Sequence, residues 1–65
     1  MNGVVKNIAI EKGYCFIKGE DGKEYFAHRS AFKNIDFQSV EAGQEVTFED
    51  SEGAKGLRAE DVFAV

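Results

Sequence analysis

At 65 residues the chain is long enough for one domain and no more, and its single cysteine excludes an intramolecular disulfide. An apolar content of 43% argues against a disordered tail, while no apolar run reaches the length of a signal peptide or membrane span. The net charge of -4 counts against any partner gripped by bulk positive charge. These limits predict a soluble, cytoplasmic, monomeric domain with a small core.

The elements follow in chain order. A first strand is predicted over residues 3–10, with Val5 inward and Lys6 outward. Gly13 bends the chain into a second strand over residues 14–18. Gly19-Glu20-Asp21-Gly22 is a turn signal, because Asp-Gly supplies a residue that accepts positive φ. A third strand is predicted over 23–28, then a brief helical turn at Ser30-Ala31-Phe32 capped by Ser30. Residues 33–43 read as a long loop holding Phe37, with a turn at Glu41-Ala42-Gly43. Residues 44–50 alternate, with Val46 and Phe48 on one side. Gly53-Ala54-Lys55-Gly56 then leads to a last strand over 57–65. Five short strands, no proline and no helical period predict an all-β, five-stranded antiparallel barrel spanning residues 1–65.

Strand periodicity also sorts the aromatic residues. Alternate residues share a face, so Tyr14, Phe16 and Lys18 point one way, and Cys15 and Ile17 the other. Phe26 and His28 likewise separate from Tyr25 and Ala27. If the two strands pair, four flat rings collect beside lysines, which is the chemistry on which unpaired bases stack. The charge is uneven in the same sense. Residues 1–33 carry six cations and four anions, whereas residues 34–65 carry two cations and eight anions. Phe32, Phe48, Val5, Val46 and Val62 are expected in the core, with Cys15 a small inert member. A lone histidine, with no companion ligands and no nucleophile or acid of clear geometry, predicts neither a metal site nor catalysis, and no cofactor is expected.

The residues Gly3-Val4-Val5-Lys6, Lys12-Gly13-Tyr14-Cys15-Phe16-Ile17 and Tyr25-Phe26-Ala27-His28 with Ser30-Ala31-Phe32 carry a family likeness. Glu41-Ala42-Gly43-Gln44-Glu45-Val46-Thr47-Phe48 and Gly53-Ala54-Lys55-Gly56, with Ala59 and Val62, extend it to the C-terminal half. Together they resemble the cold-shock domain, an oligonucleotide-binding (OB-fold) barrel, over essentially the whole chain. The resemblance implies a binder of single-stranded RNA or DNA, acting as an RNA chaperone or as a regulator of transcription or translation. It places Lys6, Lys12, Tyr14, Phe16, Phe26, His28 and Phe37 at ligand-contact positions. Asn7, Arg29 and Arg58 complete the expected nucleic-acid-binding set.

The chain departs from the family pattern in its first strand. Asn7-Ile8-Ala9 stands where the family usually has Trp-Phe-Asn, so an indole platform is missing. Cys15 replaces a glycine, Arg29 a phenylalanine and Leu57 a proline. Arg29 is expected to compensate in part, since a guanidinium both stacks on bases and contacts phosphate. The alternative reading is a protein-interaction module on the same barrel, with weakened or lost nucleic-acid binding.

Overall fold

A computed structural model describes residues 1–54 and 56–65; Lys55, within the expected link between the last two strands, lies outside the described residues. Five strands, β1 (Asn2–Ala9), β2 (Tyr14–Gly19), β3 (Glu24–His28), β4 (Glu45–Gly53) and β5 (Gly56–Ala64), close in the order β1-β2-β3-β5-β4. Three 3₁₀ turns connect them, at Ile10–Lys12, Arg29–Ala31 and Phe37–Ser39. The ladders are antiparallel except where the barrel closes. There β3 and β5 run parallel through Phe26 and Arg58, reinforced by a parallel bridge from Phe32 to Val62.

Alternation accounts for most of the core. Val5, Cys15, Ile17, Ala27, Val46 and Val62 are completely or almost completely buried, and Tyr25 and Phe48 pack beside them. Two inward pairs break the two-residue period. Val5 and Ile8 both pack inward although three residues apart, because the β1–β2 register shifts between them. Ala59 and Val62 do the same on β5, where the β4–β5 register shifts and Asp61 adopts φ 49°. Each shift is a bulge, which inserts a residue, bends the strand and restores the inward face.

The tightest crossing lies between β1 and β2. Gly3 faces Gly19 across the ladder, and a Cβ on Gly3 would stand 2.7 Å from Ile17 Cγ2 and 2.8 Å from Phe48 Cε1. Here glycine is required by space, not by dihedral angle. Gly13 serves the other need. It ends the first 3₁₀ turn at φ 77°, with its N–H donating to the Ala9 carbonyl at 2.9 Å.

The helical turn after β3 forms, but its cap differs from expectation. The N-cap is His28, whose side chain accepts the Ser30 N–H; Ser30 lies inside the turn. A histidine ring is a sufficient cap wherever its Nδ1 lone pair reaches the turn's free amide.

The Gly19–Gly22 turn is tied to the core by one side chain. Tyr25 Oη–H donates to Asp21 Oδ2 at 2.6 Å, and Lys23 N–H donates to Asp21 Oδ1 at 3.0 Å. The phenol's hydrogen bond, with help from the Lys23 amide, holds the Asp21 carboxyl below its ordinary 3.8. The same bond, then desolvation, pushes Tyr25 up to about 12. Asp21 therefore adds stability above pH 3.8 that disappears as acid protonates it in the folded state. Tyr25 adds stability below pH 10 that disappears as pH rises towards 12. Urea unfolding across this range should show both losses in the wild-type chain. In Tyr25→Phe the alkaline loss should vanish and the acid loss should shrink; parallel profiles for the two proteins would refute the clamp.

Candidate nucleic-acid interface

The β2–β3 register pairs Tyr14 with His28, Phe16 with Phe26 and Lys18 with Glu24, all with side chains on the outer face. The intervening pairs, Cys15 with Ala27 and Ile17 with Tyr25, are buried. Tyr14, Phe16 and Phe26 form a mutually supporting cluster. Their ring centroids stand 5.2 Å (Tyr14–Phe26), 5.9 Å (Tyr14–Phe16) and 5.9 Å (Phe16–Phe26) apart, two of the three contacts being edge-on. Edge-to-face contacts of this kind hold rings in place while leaving faces accessible. All three are half-buried, and His28 is exposed at the Tyr14 end.

Polar groups border the cluster on every side. The β1 bulge lies between the pairs Val5–Ile17 and Ile8–Cys15, so Lys6 and Asn7 together oppose Phe16, and both are exposed. Lys6 shares with Lys18 a surface hollow of about 410 Å³. Lys12 closes the first 3₁₀ turn, exposed. The Arg29 amide donates to the Gly13 carbonyl at 2.9 Å, extending the hairpin by one pair. Its stem lies across Gly13, where a Cβ would come within 3.2 Å of Arg29 Cδ. Arg58 pairs with Phe26 at the barrel seam and borders, with Phe16, Glu24, Phe26 and Leu57, a groove of about 800 Å³.

Nine of the ten expected contact residues thus lie on or beside one face, and one does not. Phe37 sits in the Phe37–Ser39 turn at 8% exposure, its ring 5.4 Å from that of Phe32 at 61°. For this ring the sequence leaves an exposed ligand contact and local packing against the barrel equally open; the ligand-contact placement is corrected to packing, the ring being part of the core cluster. Ile8 likewise packs against the core, and so leaves the outer face of β1 to Asn7. Cys15 is buried, and desolvation raises its thiol to about 11, which keeps it protonated and inert.

Sequence reasoning gave Ser30 the role of a cap and no part beside His28, yet its hydroxyl lies 2.9 Å from His28 Nδ1. The His-x-Ser spacing was the available signal. It also missed Glu24 and Leu57 in the groove beside Arg58, because the β3–β5 seam joins residues more than thirty positions apart. Among the described residues no group of three or more His, Cys, Asp or Glu is placed to hold a metal. Among the described residues no helix is long and apolar enough to cross a membrane.

The comparisons with known proteins agree with this geometry. The model of the 'Cold-shock' DNA-binding domain matches residues 1–65. The chain belongs to the cold-shock domain family. It is 44% identical over 61 residues to cold shock protein 1 of Lactiplantibacillus plantarum, covering 94% of this chain and 92% of that one. It is 44% identical over 62 residues to the cold shock-like protein CspC of Bacillus cereus, covering 95% of each. The major cold shock protein of Streptococcus pyogenes matches at 44% over 57 residues, 88% of this chain and 85% of its own. Cold-shock proteins bind nucleic acid and perform no catalysis, and the barrel is the fold of that family.

In this cold-shock domain the two faces of one hairpin differ sharply in what they do for stability. Ile17→Ala should cost about 2–5 kcal/mol through the cavity it leaves, whereas Phe16→Ala should cost about 1 kcal/mol through lost ring contacts. Denaturant unfolding of the two variants measures this. Equal losses would show that the outer rings serve the fold and not a surface.

Proposed function

We propose that this chain binds single-stranded RNA or DNA by stacking bases on Tyr14, Phe16, Phe26 and His28. Lys6, Lys12, Arg29 and Arg58 lie within reach of the phosphates, and Asn7 offers an amide to a base edge. The protein acts as a cytoplasmic monomer, an RNA chaperone or a regulator of transcription or translation. The observation that carries this reading is the cluster of three interlocked rings turned away from a core that is already filled.

The physical case rests on exposure of base faces. A duplex hides them, while a single strand can lay them on aromatic side chains, each contact contributing about 1–3 kcal/mol. An acidic domain gains little from long-range attraction, so stacking must supply most of the affinity. With Asn7 where a ring would extend the surface, fewer bases are stacked than four full aromatic platforms would hold. A chaperone benefits from that, because loose contacts keep a transcript open without trapping it.

A pyrimidine-rich hexanucleotide should bind as single-stranded RNA and DNA but not as duplex, and should raise the melting temperature through mass action. Phe16→Ala and Phe26→Ala should each weaken binding by about 5- to 150-fold, the equivalent of one lost stacking contact. Affinity untouched by both substitutions would rule out the platform. It would favour instead a protein-interaction role for the same face.

A further inference from the structure

His28 is the one member of the aromatic face whose hydrogen-bonding polarity is settled by its own backbone. The Ser30 N–H donates to His28 Nδ1 at 3.1 Å, and the Ser30 hydroxyl stands 2.9 Å from the same atom. A backbone amide can only donate, so Nδ1 must carry a lone pair, and in that tautomer the hydroxyl can only donate, the two donors sharing the one lone pair. The neutral ring then has its proton on Nε2. That atom lies on the far side of the imidazole from the turn, and the side chain is exposed.

We infer that Ser30 is a positioning residue that makes His28 a dedicated hydrogen-bond donor. Through Nε2–H, His28 selects an acceptor oxygen of the strand stacked on Tyr14 and its neighbours. This rests on the proposed single-strand binding and adds a second element to it. Tyr14, Phe16 and Phe26 offer faces that any base satisfies. His28 offers a directed donor that only an acceptor in the right place satisfies. A ring free to exchange tautomers would accept either a donor or an acceptor, and would discriminate neither. The two-residue spacing matters here: the cap of the Arg29–Ala31 turn fixes both the rotamer and the tautomer of a side chain that alternation alone would leave free to turn.

The acceptor is a phosphate oxygen or a base carbonyl, and oligothymidine of six residues separates them. One series carries a single uncharged methylphosphonate at each linkage in turn. The other carries a single 2-thio- or 4-thiothymine, sulfur being a weak acceptor. His28→Phe keeps a flat ring and removes the donor, and should lose about three- to tenfold in affinity. At one position of one series, the modification should weaken the wild-type protein by a similar factor and leave His28→Phe unaffected. The series in which this occurs names the acceptor. Ser30→Ala should lose about two- to threefold, and Ser30→Thr should regain it. Nitrogen-15 spectra of the His28 ring should show a bare Nδ1 and a protonated Nε2, and the same tautomer in Ser30→Ala, which keeps the backbone amide and loses only the hydroxyl that helps hold the rotamer.

The inference is overturned if His28→Phe binds as tightly as wild type, if every modification is additive with it, or if Nδ1 carries the proton. In each case Phe16→Ala would still loosen the complex, and stacking would stand. Failure of the wild-type chain to bind any single strand would instead remove both readings together.

Discussion

Closing five short strands around so small a core requires sharp bends, and the chain makes two of them by inserting a residue. At Lys6–Asn7 in β1 and at Asp61 in β5 the strand gains a residue, turns, and brings a second apolar side chain to the inside. Without the first bulge, either Val5 or Ile8 would face water; without the second, Ala59 or Val62 would. The cylinder is completed where β1 meets β4 and β5 meets β3. The functional face inherits this constraint. The same insertion that bends β1 pushes Lys6 and Asn7 out together beside Phe16.

The hairpin of β2 and β3 then does two jobs with one periodicity. Its inner residues, Cys15, Ile17, Tyr25 and Ala27, fill the barrel, and its outer residues form the aromatic surface. A slip of one residue would exchange the two sets, placing Tyr14 and Phe16 in the core and Ile17 in water. The Tyr25–Asp21 hydrogen bond and the Gly19–Gly22 turn oppose such a slip at one end. The Arg29–Gly13 pair opposes it at the other. The filled core and the aromatic surface are thus specified by a single register.

Alternation made the barrel and the ring cluster legible before any coordinates. Residues 14–18 and 24–28 alternate cleanly, and the structure sorts their side chains as the sequence does, β3 starting one residue later than expected. What escaped was everything that breaks the period or acts at long range. Val5 with Ile8, and Ala59 with Val62, are spaced by three, a pattern that reads as irregular until the bulges are seen. Phe37 lies in a polar stretch with no periodic partner, so its burial against Phe32 depends on loop geometry that local spacing does not encode. His28 as a cap depends on a side-chain rotamer, and the Phe26–Arg58 seam on a closure between distant strands. Membership of the cold-shock family explains why so much was readable: its motifs are the alternating segments themselves.

The β4–β5 ladder sets Glu49 directly opposite Glu60, with Asp50 and Asp61 the next residues along their strands. Like charges facing each other across a pair are destabilising. The protein therefore carries a repulsion that added electrolyte relieves. A cell that concentrates its ions on losing water would make this domain sturdier.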